Sequence, residues 1–217
     1  MILPTMTLEE IGKEVLLDYN SVTRKADYLA PSLRRPAIKS GKKYFRSTFN
    51  YESPRKNHWF VFVEHFVTEM IIVYVITYVD DDGYHGIMVT NTKTLVHFSP
   101  HFLQRYNERF LKIENASKKE ILLKFIPRNN VGMFIEVPSK EYGDNAVFGN
   151  ISNGVVLGCL ETISRVPWTF CRTFLSNDML FENQQFTKEI AESYRGEYNE
   201  QEYSKETKIR KEMEEEI

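Results

Sequence analysis

The chain is 217 residues long, enough to bury a substantial core, and its 42% hydrophobic and 27% charged residues are typical of a soluble globular protein. No run approaches the roughly 18 apolar residues of a membrane-spanning helix, so we exclude such a span and expect no membrane association. The formal net charge of −2 excludes a uniformly basic protein.

The charges are distributed unevenly along the chain. Between Arg24 and His58 there are ten basic residues and two acidic ones, whereas from Arg195 onward eight acidic residues outnumber five basic ones. This polarity suggests a basic surface for a polyanion and an acidic end that is solvated or docks elsewhere. Solvated faces have the same composition, so both interpretations stay open.

The two cysteines and the N-terminal sequence indicate a reducing compartment. Cys159 and Cys171 are too far apart for a CxxC motif and lie in apolar, strand-like runs, which predicts buried free thiols. The N-terminal sequence lacks a basic segment followed by an apolar one, so no secretory signal is expected. We therefore expect a cytoplasmic protein.

The N-terminal segment, residues 1–58, is predicted to form a helix followed by a basic arm. Thr7 and Glu10 form a capping-box pattern, and apolar residues at helical spacing extend the helix from about Leu8 to Leu29. Two prolines then interrupt the pattern, and the arm has no clear periodicity. Its cations and aromatic rings suit phosphate contact and base stacking, although the rings can instead pin a loop to the body. The candidate nucleic-acid contacts, with one more from the last strand, are Arg34, Arg35, Lys42, Lys43, Arg46 and Arg172.

Residues 59–196 are predicted to form an α+β core domain, and residues 197–217 a charged C-terminal tail. Runs rich in β-branched and aromatic residues predict strands, among them WFVFVEHF, MIIVYVITYV, AVFGNI, GVVLGCLETI and WTFCRTFLS. The sequences DDDG at 80–83 and SNG at 152–154 predict tight turns between strands. We expect an antiparallel sheet of about four to six strands, packed with a central helix and accompanied by N-terminal and C-terminal helices.

The central helix carries the most distinctive residue pattern in the sequence. Ser99 is a suitable N-cap, and Pro100 suits the first helical position. At about 100° per residue, one arc of the helix carries charged side chains beside an apolar arc. The charged arc, called the polar arc below, comprises His101, Arg105, Glu108 and Arg109.

The polar arc contains the residue types that metal-independent cleavage of RNA requires. Histidine and glutamate can transfer protons, and arginine can hold a phosphate by bidentate contact. Arg109 lies about 12 Å along the helix axis from His101, so His101 with Arg105 is the tighter pair. The alternative is a solvated helix face, in which Glu108 pairs with Arg105 or Lys112.

A family resemblance rests on the run HFSPHFLQRYNERF, followed by a closing hairpin and TFCRTFLS. This arrangement resembles a group of small ribonuclease toxins that includes barnase, colicin, RelE and EndoU-like domains, over residues 94–176. The resemblance implies an α+β fold and RNA as the substrate. It implies a catalytic pair of His101 as general base and Arg105 as phosphate clamp, with Arg109 as a further clamp. Polar positions on the last strand are matched by Arg172, Thr173 and Ser176.

The other histidines suggest weaker sites. His65 and His85 lie in strand-like runs and could approach each other across a sheet, although a strand histidine is more often simply hydrogen-bonded. His97 precedes the helix that contains His101, so the two lack the geometry of a shared zinc site. The aspartate run at 80–82 lacks the ligand spacing of a calcium loop. We expect no metal and no cofactor.

Two further functional hypotheses stay open beside the metal-independent endoribonuclease. The first is a non-catalytic module in which the basic arm binds nucleic acid or an acidic partner. The second is a protein-interaction domain that uses the helix predicted after Asn177. The expected partners are therefore RNA or, through the C-terminal helix, another protein.

Overall fold

The elements described here are those of a computed structural model, which describes residues 1–39, 41, 44–66, 70–129, 133–137 and 143–180, without the side chains of residues 34, 37 and 133. Its α-helices are α1 (Leu8–Lys39), α2 (Pro100–Tyr106) and α3 (Lys118–Asn129), and α2 continues into a π-helical turn (Asn107–Leu111). Its strands are β1 (Tyr44–Glu52), β2 (His58–Phe66), β3 (Met70–Asp80), β4 (Gly83–Val89), β5 (Leu95–Phe98), β6 (Met133–Glu136), β7 (Ala146–Ile151), β8 (Gly154–Ile163) and β9 (Val166–Ser176). A 3-10 turn (Asn177–Met179) follows the last strand.

All nine described strands belong to one sheet with the order β1-β2-β3-β4-β5-β9-β8-β7-β6. Strands β1 to β5 form one antiparallel meander, and β6 to β9 form a second. The two meanders are joined by the parallel pairing of β5 with β9, while α2 and α3 lie in the connection between them. The predicted α+β class is confirmed, with one mostly antiparallel sheet.

The sheet has more strands than the four to six expected. One of the additional strands is β1, which arises from the passage that we interpreted as an irregular arm. Its backbone pairs with β2 along its whole length, from Tyr44 opposite Phe66 to Glu52 opposite His58. That long-range pairing satisfies the backbone hydrogen bonds of a polar segment, and no local periodicity reveals it.

Helix α1 is also longer than predicted and includes Pro31 and Pro36. Each proline removes one backbone donor, which predicted an end of the helix near Leu29. Beyond the first proline, however, Leu33 still packs against the same core as the rest of the helix. Tertiary packing therefore outweighs the local penalty at this position.

The sheet buries apolar side chains on both faces because successive residues of a strand point to opposite sides. On one face α1 packs on a core formed by Val15, Val22, Trp59, Ile76, Ile87 and Trp168 among others. On the other face α2 and α3 pack on a core that includes Phe62, Val75, Phe98, Phe102, Leu122 and Phe174. A Cβ at Gly86 of β4 would lie 2.7 Å from a methyl carbon of Leu122, so glycine at this position permits the close approach of α3.

The predicted state of the two cysteines is confirmed. Cys159 and Cys171 are buried free thiols. In the described ranges, no helix combines the length and the apolar character needed to cross a membrane. The predicted C-terminal helix and charged tail lie outside the described residues, and the domain division at residues 58 and 196 stays a prediction.

Candidate functional site

Helix α2 begins as the sequence predicted. The Ser99 hydroxyl accepts a hydrogen bond from the Phe102 amide at 3.1 Å, and Pro100 opens the helix. Phe102 and Tyr106 are buried against the sheet, so the polar arc lies on the outer side. His101 is exposed, and the described residues give it no hydrogen bond or ion pair.

Two members of the polar arc pair with each other. The Arg105 guanidinium donates to Glu108 Oε2 at 2.9 Å, and the Gln104 amide donates to Glu108 Oε1 at 2.7 Å. Both hydrogen bonds lower the pKa of the exposed Glu108 carboxyl, and the one from Gln104 has the larger effect. Both oxygens of Glu108 are therefore engaged, as in the solvated-face alternative. A phosphate would have to compete with Glu108 for Arg105.

Arg109, which we predicted to be a phosphate clamp, contacts the last strand. Its Nη1 donates to Thr173 Oγ1 at 3.4 Å and makes a shorter hydrogen bond to the main-chain carbonyl of Phe174. This contact ties the π-helical turn to β9. Ser176 is buried at the end of β9, and its nearby hydroxyl lowers the pKa of the Asp178 carboxyl. Arg109 and Thr173 thus meet, but in an internal contact.

The predicted nucleic-acid contacts do not form one surface in the described part of the protein. Arg34 and Arg35 belong to α1, and Arg35 is exposed. Arg46 donates to the buried Glu64 carboxylate at 3.0 Å and to the Pro127 carbonyl at 2.7 Å, so it holds β1 to β2 and to α3. Arg172 is exposed in β9. The remaining two candidates, Lys42 and Lys43, lie outside the described residues.

A cavity of about 430 Å³ opens at one end of the sheet, where the β1–β2 turn lies beside the end of β3. The strand register brings these segments together, because Glu52 lies opposite His58 and His58 opposite Thr77. We call this space the sheet-end cavity. Its lining includes Asn50, Tyr51, Glu52, Lys56, His58, Trp59, Phe60, Thr77, Tyr78, Tyr84 and Lys119.

Cationic groups and aromatic rings lie side by side in the sheet-end cavity. The Lys119 ammonium lies 5.4 Å from the centroid of the Phe60 ring, at the start of α3. Lys56 pairs with Glu52 at 2.9 Å, and this contact lowers the pKa of the Glu52 carboxyl. His58 is exposed at the same end. The sequence predicted cations beside aromatic rings within the basic arm. Phe60 and Lys119, however, belong to segments that follow the arm.

A second polar cluster lies on β3, β4 and β5, and we call it the histidine network. It comprises Tyr78, Asp80, His85 and His97. His85 Nε2 is 2.8 Å from Asp80 Oδ1, and His85 Nδ1 is 3.0 Å from His97 Nε2. The Tyr78 hydroxyl is 3.3 Å from the same nitrogen of His97. Tyr78 also lines the sheet-end cavity, so the network adjoins it.

The network is held in place by ring stacking and by the β3–β4 turn. The Tyr78 and His85 rings stack with centroids 4.7 Å apart, and the His85 and His97 rings with centroids 5.1 Å apart. Asp80 Oδ1 also accepts hydrogen bonds from the backbone amides of Asp82 and Gly83, which is the local contact that an aspartate makes in a turn. The carboxylate and both rings therefore have fixed positions.

Burial controls the ionisation of the network. His85 and His97 are only 5% and 8% exposed. Burial, with the nearby charge of His85, lowers the pKa of His97 to about 4. Burial and the charge of Asp80 raise the pKa of Tyr78 above its ordinary value. His97 is therefore neutral near pH 7, and Tyr78 keeps its proton.

Sequence reasoning missed this network because it considered other histidine pairs. We considered His85 with His65, and His97 with His101, whereas the fold joins His85 to His97. The DDDG turn and the two flanking strands predict that Tyr78 lies opposite His85, as observed. The missing information was the register of β5 against β4. This register pairs Phe98 with Gly86 and His97 with Ile87, so His97 lies near His85.

Within the described ranges, no group of three or more His, Cys, Asp or Glu side chains is arranged to hold a metal ion. Comparison of the chain with protein-family models, with curated proteins and with solved structures gives no match. The geometry of the described residues is therefore the basis for a functional proposal.

Proposed function

We propose that the protein binds single-stranded RNA at the sheet-end cavity. The observation that carries this proposal is that Lys119 and His58 line a cavity of about 430 Å³ together with several aromatic residues. This volume lies within the range of roughly 300–1,000 Å³ found for small-molecule sites, so one nucleotide can enter. Cations that meet phosphate and rings that stack on bases are the usual elements of single-strand binding.

The exposure of the lining residues supports this assignment. Lys119 and His58 are exposed, so their charged or polar ends can reach a phosphate. Tyr51 and Tyr84 are half-buried, so part of each ring is held by the core and part is open to the cavity. A fixed ring loses little conformational entropy when a base stacks on it.

Glu52 limits the positive charge of the cavity because it holds the Lys56 ammonium at 2.9 Å. Lys119 is therefore the principal cation for a phosphate, and Lys56 is a second one that a ligand must first release from Glu52. Binding at such a site is expected to be moderate and dependent on salt.

Fluorescence anisotropy with a labelled RNA of about 12 nucleotides tests the proposal. We expect Lys119→Ala to weaken binding and to reduce the slope of log affinity against log salt by about 0.7, the value for one phosphate contact on a single strand. Lys13→Ala is the matched control, since Lys13 is an exposed lysine of α1 paired with Glu9. Equal losses in both variants, or no binding by the wild type at low salt, would overturn the proposal.

Substitution of Glu52 gives a second test, in which RNA binding should become tighter rather than weaker. Glu52→Gln removes the charge that holds Lys56, so this lysine becomes available to a phosphate. We expect tighter RNA binding and a salt slope steeper by about 0.7. Unchanged affinity would show that the β1–β2 turn does not contact RNA.

Metal-independent cleavage of RNA is a second candidate function. It is favoured by the exposure of His101 beside Arg105 on the polar arc and by the resemblance to small ribonuclease toxins. The engagement of Arg105 by Glu108 and of Arg109 by Phe174 counts against it. Incubation of mixed RNA with the protein in EDTA tests it. Cyclic phosphate ends that disappear in His101→Ala but persist in His58→Ala are the expected result, and intact RNA with the wild type would exclude it for these RNAs.

A further inference from the structure

The geometry of the histidine network points to a function beyond RNA binding. We propose that Asp80, His85, His97 and Tyr78 form a one-proton switch, which takes up a single proton at His85 and excludes a second at His97. Neither the RNA proposal nor the ribonuclease alternative uses this cluster, so the inference is independent of both.

The number of protons follows from the contacts. Asp80 Oδ1 lies 2.8 Å from His85 Nε2, and this contact needs a hydrogen on the nitrogen, because an ionised carboxylate only accepts. His85 Nδ1 and His97 Nε2 are 3.0 Å apart, and this contact needs one hydrogen between them. That hydrogen can belong to either ring, so the network has two hydrogen-bonded states.

The two states differ in charge by one proton. In the first state His97 Nε2–H donates to His85 Nδ1, and both rings are neutral. In the second state His85 is an imidazolium whose Nδ1–H donates to His97 Nε2, and His97 carries its own hydrogen on Nδ1. Uptake of the proton at His85 therefore changes the tautomer of His97. A second proton would place two N–H groups against each other at 3.0 Å and break the contact.

The groups that surround the network favour the charge at His85 rather than at His97. From β3 and its turn, Asp80 contacts His85 directly, and Asp82 lies near enough to act on Tyr78. From β9 the facing groups are the uncharged rings of Trp168 and Phe170, which pack edge-on against His97. The α1 residue against Trp168 is Gly12, which has no charge. Only the His85 side of the pair touches a carboxylate.

The switch has a structural consequence for the β3–β4 turn. His85 connects this turn, through Asp80, to His97 on β5. A second proton would break the contact between His85 and His97 and so disconnect β5 from the turn. We therefore expect the connection to persist over the range in which the pair holds zero or one extra proton, and to fail in more acidic solution.

Nuclear magnetic resonance of the full chain with isotope-labelled histidine tests the switch between about pH 8 and pH 4. Above about pH 5, where the lowered pKa of His97 keeps that ring neutral, we expect His85 alone of the pair to become an imidazolium, and the hydrogen of His97 to move from Nε2 to Nδ1 in the same titration. The exposed His58 and His101 serve as internal references. Independent titration of both rings, or a His97 tautomer that never changes, would overturn the proposal.

A pair of variants separates the switch from a purely structural contact. Asp80→Asn keeps an acceptor oxygen at the turn but removes the charge, so we expect protonation of His85 to require a lower pH. Asp81→Asn removes the same charge from an exposed neighbour that does not contact the ring, and we expect a much smaller shift. Equal shifts in the two variants would contradict a specific role for Asp80. Binding of RNA is not needed for either measurement.

Discussion

The polar arc of α2 and the histidine network contain similar residue types and behave differently. Each includes histidine and a carboxylate, and each makes hydrogen bonds shorter than 3.0 Å. His101, Arg105 and Glu108 of the arc lie on an outer helix face, where water competes for their contacts. The network is buried between strands, where each proton needs a partner on the protein. The comparison shows that burial, rather than composition, gives a polar cluster its defined geometry.

The two regions should differ most in how much stability is lost when a histidine is replaced by alanine. We expect His85→Ala to lower the free energy of unfolding by about 4 kcal/mol, because it removes a stacked ring and leaves Asp80 and His97 without their shared partner. Urea denaturation measures this loss. His101→Ala on the polar arc is the control, and we expect no measurable change. Similar effects of the two substitutions would remove the contrast.

The pH dependence of stability sharpens the comparison. The ordinary pKa of His97 is 6.5 and burial lowers it to about 4, so between these values the unfolded state binds more protons than the folded state. The free energy of unfolding should therefore fall as the pH decreases from 6.5 to about 4, by about 3 kcal/mol in total, with no further loss from this group below that range. Urea denaturation across this window measures the fall.

The control for this pH dependence is His97→Gln, whose side chain does not titrate. The fall between pH 6.5 and 4 should be smaller in this variant than in the wild type by the amount assigned to His97. An identical pH profile in the two proteins would contradict the burial of a neutral His97.

Loss of the Arg109 contact should lower the free energy of unfolding by an intermediate amount, because this contact joins the polar arc to the sheet. Arg109→Met keeps the aliphatic packing but removes the hydrogen bonds to Thr173 and the Phe174 carbonyl. We expect a loss of about 1.5 kcal/mol in the free energy of unfolding. Thr173→Val separates the weaker hydroxyl contact from the main-chain contact. A larger loss in Thr173→Val than in Arg109→Met would reverse the assignment.

The smallest effect is expected for the exposed pair on the same helix. Arg105→Ala breaks the contact with Glu108, but water solvates both groups, and Gln104 still donates to the carboxylate. The urea midpoint should be unchanged within error. A clear destabilisation would show that the polar arc is more than a solvated face.

The starts of the helices were predictable because local hydrogen bonds decide them. Thr7 and Glu10 form the capping box that their spacing indicated, through the Thr7 amide and the Glu10 amide. The Ser117 hydroxyl accepts from the Glu120 amide in the same way at the start of α3. Such contacts join residues three positions apart, so they follow from sequence alone.

The basic arm shows where local reasoning was insufficient. Its cations suggested a free surface, but Arg46 faces the buried Glu64 of β2, eighteen positions away in the chain. A buried carboxylate requires a partner, and β1 supplies it through the strand register. Periodicity within the arm contains no information about this pairing, so the strand and the role of Arg46 were both unpredictable.

The sequence by itself determined the α+β class, the start of α2 at Ser99, the tight turns of the hairpins and the buried state of the two cysteines, because each depends on composition or on neighbours a few residues apart. Tertiary structure alone decided the parallel pairing of β5 with β9, the lining of the sheet-end cavity and the contact of His85 with His97. These features depend on strand register and on burial. Register is set by the packing of both sheet faces at once, and the sequence of any single strand is compatible with several alternatives.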